Sequence, residues 1–413
     1  MNSSAPGRIS PCGLCSARRC LDSQSEDSGF VRGTMKPSLA VFAVAVCVLT
    51  CARDRSHPVA GPSWRQSGPI DELTFSWRLT VDSSVIELPT HLAVLPGAQE
   101  RVIVSDLELP GLIIVDAVTG TVSAIVRSER GAGTRYLAPH LVASSPSGSL
   151  VAVYDAALGN VQLMDRSLRL VRTVAVEPPI INPKGMCVGD DTVLVISGGR
   201  LRRAPAGLGL HWMLPGADST VSTEPLVPAL GTSLAREIAA GGPIVLLAPS
   251  VVLAADAVSG SLWEATPKGA RPLDTTTVGD PGLLRLIDAH QQRGARGAAD
   301  VWWTFPKAIL VAGLPGSAHY MILWSDFDRS RADFLDVSDQ GVRQIAAWNA
   351  KLAFATLNGD RESVLLVGVD GRDIPYVGRA RLPKVVSDAM RADVSGGDPR
   401  PADSILHESP QLQ

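Results

Sequence analysis

The sequence predicts an all-β chain closed into a six-bladed β-propeller, on three observations. The first is a degenerate repeat. Residues 151–176, VAVYDAALGNVQLMDRSLRLVRTVAV, hold an apolar strand ending in Asp155, a Gly-Asn turn, a strand ending in Asp165 and a third apolar strand. Residues 102–126, VIVSDLELPGLIIVDAVTGTVSAIV, follow the same plan. Such units bury their faces only against their neighbours, so the repeat sets the architecture. The second is that Gly and Pro are spread along the whole chain, as turns between many short strands require. The third is an unmatched strand at the front, LTFSWRLTV at 73–81, while the last repeat supplies only three strands. Pairing the two closes the ring and hides the sheet edges.

Each repeat lays out as four strands, A to D, of alternating or fully apolar character. Blade one places them near His91–Leu95, Arg101–Asp106, Leu112–Asp116 and Val122–Val126, and blade two at Leu141–Ser145, Leu150–Asp155, Val161–Asp165 and Leu170–Val176. Blade three opens with PKGMCVGDDTVLVISGG at Pro183, with C and D through Arg200–Leu214. Blade four runs from about Arg236 to Thr266, and its DAVSG at 256–260 echoes DAVTG at 116–120, both suiting a tight C-to-D hairpin. Blade five opens with PKAILVAG at Pro306, and the last unit ends near Pro383. The irregular stretch between blades four and five leaves counts of five or seven open. Residues 217–235 read as a Pro/Ser/Thr-rich loop, residues 282–293 as a short surface helix, and 384–413 as a disordered tail.

At 45% apolar and 19% charged, the chain has the composition of a folded globular protein. A formal net charge of -3 gives no electrostatic case for nucleic acid, and 5% aromatics are too few for a surface that stacks bases or sugars.

The first fifty residues are of another kind. Residues 1–34 are polar and hold Cys12, Cys15 and Cys20; without a fourth ligand or a His they make no metal site. Met35 and Lys36 then lead into the apolar run Leu39–Thr50 and Cys51. A basic start, about a dozen apolar residues and a small-residue exit describe a secretory signal over 35–51, too short to span a bilayer. Met35 is therefore the expected start, 1–34 an upstream extension, and 52–72 a linker. Val48-Leu49-Thr50-Cys51 resembles the lipobox of bacterial lipoproteins, whose cysteine is lipidated, although Thr50 stands where that motif usually has Gly or Ala. The resemblance implies a protein exported to the bacterial envelope, touching the membrane only through a lipid on Cys51. After processing only Cys51 and Cys187 remain, so disulfides are excluded as a source of stability. Cys187, in the apolar strand GMCV, reads as a small buried hydrophobe.

PKGMCVGDDTVLVIS (183–197) and residues 151–176 resemble the NHL-type repeat, which reads Pro-x-Gly-hydrophobic, then a strand ending in Ala-Asp, then Asn and a further strand. Val161 follows Asn160 where that repeat has Arg. As a whole the chain is similar to six-bladed propeller lipoproteins of the bacterial NHL/TolB-like group. The resemblance implies a propeller over residues 73–383 and no particular activity, since such folds serve as enzymes, scaffolds and receptors alike.

Propellers bind ligands at one mouth of the central channel, so residues just after the blade-opening prolines are the candidates: Thr90 or His91, His140, Lys184 and Lys307, with Arg236 for blade four. A ring of His, Lys and Arg favours a small polar or anionic ligand. A catalytic metal is not expected, because a third His is missing from the ring and Lys184 and Arg236 would repel a cation. The strand-ending Asp106, Asp116, Asp155, Asp165, Asp256 and Asp326 recur at repeat-equivalent places, which suits bonds to turn amides rather than catalysis. There is no G-x-S-x-G elbow, P-loop or dinucleotide fingerprint, so no catalytic residue or cofactor is expected. The leading expectation is a binding or scaffold module for a partner protein or a small polar ligand. The competing one is a propeller hydrolase or lyase with its site at the channel mouth.

Overall fold

The computed structural model describes residues 72–392 apart from 81–84, 110, 128–135, 178–179, 201–208, 216–220, 223–240, 258–261, 275–306, 314–318, 326–329, 339–340, 351–353, 358–359, 361 and 370–373. The expected extension, signal, Cys51 and linker, together with Arg236, the surface helix at 282–293 and Asp326, lie outside the described residues.

Strand β1 (Phe75–Thr80) comes first. Blade one is β2 (Pro89–Leu95), β3 (Arg101–Asp106), β4 (Gly111–Asp116) and β5 (Val122–Arg127). Blade two is β6 (Pro139–Ser144), β7 (Leu150–Asp155), β8 (Asn160–Asp165) and β9 (Leu170–Ala175). Blade three is β10 (Ile180–Val188), β11 (Leu194–Arg200), β12 (Leu210–Met213) and β13 (Val221–Ser222). Blade four is β14 (Ile244–Ala248), β15 (Val251–Ala255), β16 (Leu262–Thr266) and β17 (Gly269–Asp274). Blade five is β18 (Lys307–Gly313), β19 (His319–Ser325), β20 (Ser330–Ser338) and β21 (Gly341–Ala350). Blade six is β22 (Phe354–Leu357), β23 (Ser363–Val369) and β24 (Pro375–Arg381), completed by β1. The helix α1 (Lys384–Ala392) follows.

All strand pairs are antiparallel, and the innermost strands β2, β6, β10, β14, β18 and β22 each neighbour the next around a ring that closes. Closure is made as the sequence predicts: β1 pairs with β24, Phe75 opposite Ala380 and Thr80 opposite Tyr376. Antiparallel order gives the ring two distinct faces. Inner strands begin on the mouth face, where the B-to-C turns also lie; they end on the opposite face, with the A-to-B and C-to-D turns.

The fully apolar second strands divide their side chains between two cores, because successive residues of a strand point to opposite faces. Val151 and Val153 pack toward blade one with Ile103 and Ile114, while Ala152 and Tyr154 pack toward blade three with Leu194 and Ile196. Val195 in turn faces Val252 and Ala254 of blade four, whose Leu253 and Ala255 face Tyr320 and Ile322 of blade five. Each of the four seams from blade one to blade five is therefore a core of its own, while those on either side of blade six merge into one. Cys187 belongs to the seam between blades three and four, where burial raises its thiol to about 12, so it acts as a small apolar residue.

Four expectations change. The D strand of blade three is the two-residue β13, inside the stretch read as a loop, and its C strand is β12 at 210–213. DAVSG at 256–260 joins β15 to β16 and so is a B-to-C connection, not C-to-D. A strand-ending Asp followed by a turn is the same local chemistry in both connections, so sequence alone does not separate them. Blade four opens at Ile244 behind Gly241-Gly242-Pro243, not near Arg236; Gly241 (φ 81°) lies so close to Gly198 that a Cβ would meet its backbone nitrogen at 2.8 Å. Finally, the tail begins with a helix. Its Val386 and Met390, one turn apart, are buried in the same core as Trp348 and Leu382, a spacing hidden by the polar composition of the segment.

Candidate functional site

Blades one and two build one local arrangement at the mouth. In each, the strand register slips by one residue just after the opening proline: Pro89 pairs with Asp106 and His91 with Ser105, while Pro139 pairs with Asp155 and Leu141 with Tyr154. The extra residues of these bulges are Thr90 and His140. His140 is thus the structural equivalent of Thr90, and His91 stands one place further in. Bulges of this kind re-aim side chains at the rims of sheets.

One buried aspartate holds the approach to each bulge. Asp106 accepts the amides of Glu87 at 2.8 Å and Leu88 at 3.0 Å, and on its other side those of Glu108 at 3.1 Å and Leu109 at 3.0 Å. Asp155 does the same for Leu137 (2.6 Å), Ala138 (3.1 Å), Ala157 (3.0 Å) and Leu158 (3.0 Å). Both carboxylates are fully buried. They therefore do more than close turns: each ties the segment that leads into its inner strand to the turn after its B strand. Asp116 and Asp165, on the opposite face, bond only local amides and the side chains of Thr119 and Arg169.

The bulges bring His91 and His140 together, ring centroids 6.2 Å apart and tilted by 50°. The main chain beneath them is pinned by hydroxyls. Thr90 Oγ1 donates to the carbonyl of His140 at 3.1 Å, and Ser105 Oγ lies 3.2 Å from that carbonyl and 3.3 Å from the carbonyl of His91. The main chain of Pro183, in β10, favours a protonated His140 ring, and that of Thr90 does the same for His91.

His91 and His140 are half-buried as whole residues, and protein encloses their rings. Burial disfavours the imidazolium. It takes His91 from 6.5 down to about 3, with the neighbouring His140 adding to the effect, and His140 down to about 4 despite the Pro183 bond. Both are neutral at pH 7. They present hydrogen-bonding and ligating nitrogens rather than positive charge.

Of the other predicted residues, Lys184 lies half-buried in the bulge of β10, next to Pro183. Lys307 is the first residue of β18, opposite Ser325, and its side chain lies outside what is described. The sequence reading missed Ser105 as a support of the site. Its signal was a lone polar residue interrupting VIVSD where blade two has the aromatic Tyr154. Among the described residues, no group of three or more His, Cys, Asp or Glu is placed to hold a metal ion.

No protein-family model matches this chain, and no curated protein matches it in sequence. Solved structures do match it in shape. A member of the DUF4221 family from Bacteroides vulgatus superposes with a TM-score of 0.52 at 9% identity, over 75% of this chain and 98% of that one. A protein from Bacteroides fragilis, predicted to be exported, superposes with a TM-score of 0.51 at 9% identity, over 76% of this chain and 95% of that one. At this identity the likeness is one of fold. The chain is a six-bladed β-propeller with a pair of neutral histidines at one mouth of its ring.

Proposed function

We propose that this chain is an exported propeller lipoprotein of the NHL/TolB-like kind, anchored through Cys51, and that it is a rigid binding module. Its mouth at His91 and His140 takes a partner protein or a small polar ligand. The observation that carries this reading is the preorganisation of the histidine pair: two bulges, two buried aspartates and two hydroxyls fix the main chain under both rings. Groups held this way lose little entropy when a ligand arrives. The apolar run Leu39–Thr50 and the cysteine after it support export and anchoring.

A hydrolase or lyase would need a base–nucleophile pair or three metal ligands at this mouth. Thr90 and Ser105, the hydroxyls beside the histidines, lie against main-chain carbonyls.

The test is capture from solubilised bacterial envelopes by the native protein, with His91→Ala/His140→Ala as the comparison. Partners held by the wild type and lost by the folded double variant are expected. Equal capture by both proteins would move binding away from this mouth. Metabolic labelling with a radioactive fatty acid should mark the wild type and spare Cys51→Ser; label on both would refute the anchor.

A further inference from the structure

We propose that the mouth face of blades one and two docks a segment of a partner protein that carries a Lys or Arg side chain close to an apolar one. The inference rests on the reading of this mouth as a binding face and names the chemistry of what it binds.

Asp106 and Asp155 build one platform twice. Asp106 takes the amides of Glu87 and Glu108, and Asp155 takes those of Leu137 and Ala157. A further bond matches: the Leu107 amide donates to the Leu88 carbonyl and the Ala156 amide to the Ala138 carbonyl, both at 3.0 Å. Glu87 is thus the counterpart of Leu137, and Glu108 of Ala157. The backbone repeats, and the chemistry it displays does not.

On blade one, a single buried carboxylate holds the main chain of both glutamates, so their side chains leave from neighbouring points on the rim. Both residues are exposed, and neither carboxylate has an ion-pair partner among the described residues. Arg127, at the end of β5 in the same blade, pairs with neither. Like charges held together repel, and a cationic group brought between them relieves the repulsion. On blade two the same points carry Leu137, which is 47% exposed, and Ala157, with Leu158 beside it partly exposed. Covering apolar groups fixed on a rigid turn is favourable and orders little that is not already ordered.

Two features set the class of occupant. The platforms stand on neighbouring blades whose inner strands touch through the 3.1 Å bond from Thr90 Oγ1 to the His140 carbonyl, so one ligand can cover both. They also stand out on the rim, whereas a small molecule needs a concave site that encloses most of its surface. A polypeptide segment can lay an apolar anchor on one platform and a charged group on the other, as protein interfaces do. The sign is the reverse of that expected from a ring of His, Lys and Arg. That ring was read from residues just after the opening prolines, while Glu87 and Leu137 come just before them and Glu108 and Ala157 lie in the B-to-C turns.

The experiment is affinity selection of a random dodecapeptide library on the full chain, repeated on Glu87→Gln/Glu108→Gln, Leu137→Ser and His91→Ala/His140→Ala. The structural bonds at the platform positions are made by main-chain amides, so the Gln and Ser changes leave the turns standing; circular dichroism checks every variant. Should the alanine pair misfold, His91→Asn/His140→Gln serves in its place. The expected result is enrichment of peptides with Lys or Arg close to a large apolar residue. A synthetic copy of one of them should lose at least tenfold in affinity for each platform variant. Its binding to the wild type should weaken with added salt, and that dependence should flatten in Glu87→Gln/Glu108→Gln. No enrichment, enrichment of acidic peptides, or peptides that ignore both platform variants overturns the proposal. Spermine binding as tightly as the peptide would mark a site for cations alone and overturn it too. Peptides that ignore the platforms yet need His91 and His140 overturn it and leave the binding-module reading standing; peptides indifferent to all three variants remove both.

Discussion

At the scale of single residues, the two mouth histidines set how stability responds to acid. Their folded-state values, about 3 and about 4, lie below the ordinary 6.5, so the unfolded chain takes up protons that the folded one refuses. Stability therefore falls as pH drops from 6.5 toward 4. At pH 5 the ceiling is about 2 kcal/mol per ring, from 1.36 kcal/mol for each pH unit below 6.5. Asp116, Asp165 and Asp360 are held below the usual carboxylate range, the first two by amide and side-chain bonds at their turns. For Asp360, burial works the other way, and bonds from Glu362, Ser363 and Arg379 outweigh it. Such groups lose stability only as pH falls through and below their ordinary 3.8, beneath the histidine window. Urea midpoints at pH 7 and pH 5 should therefore separate more widely for the wild type than for His91→Asn/His140→Gln. Equal separations would mean that these rings do not carry the effect. The histidines and Lys184 were legible as candidates because blade-opening prolines mark where inner strands begin. Their pairing was not, because a one-residue bulge moves one histidine a place along its strand and leaves no trace in composition.

At the scale of strands and turns, the joint between the last blade and the first shows how much the repeat leaves unsaid. The Trp77 indole on β1 donates to the carbonyl of Ala117 at 3.0 Å, and Arg379 of β24 reaches the same carbonyl at 3.3 Å. The Trp77 ring lies over Gly120, whose φ is 73°, and a Cβ there would come within 2.6 Å of it. Gly159 closes the same local Asp-to-Gly turn, here in the B-to-C connection of blade two, with φ of 63° and nothing within 4 Å of where its Cβ would be. Gly159→Ala should thus cost only the backbone penalty, about 1–2 kcal/mol. Gly120→Ala adds the clash with the indole, roughly a further 1–3 kcal/mol. Thermal or urea unfolding of the two variants reads the difference, and equal losses would deny the packing role of Trp77. Most strands were legible because an apolar run between turn residues has one outcome in a repeat. Strand β13 and helix α1 were not. The first is two residues long, and the second is a short amphipathic stretch at the head of a tail rich in Asp, Ser, Pro and Gly.

At the scale of the whole ring, β1 alone among the described residues joins the beginning of the propeller to its end within one sheet. Four seams are separate cores, but the core at the closing joint draws on blades five, six and one and on α1 together. Removing residues 1–80 would leave β24 an open edge and strip Phe75, Trp77 and Leu79 from that core. The expected loss is most of the 5–15 kcal/mol typical of a folded domain, seen as a collapsed urea midpoint and concentration-dependent aggregation. A wild-type midpoint in the shortened chain would show that the ring does not depend on its clasp. The direction of that clasp has a further consequence. Phe75 pairs near the far end of β24, beside Ser363 and Arg381, so the chain comes into the disc on the side away from the histidines. Whatever precedes Phe75 in the chain therefore joins the ring on one face while the two histidines look out from the other, so the mouth is left clear of the chain's own entry.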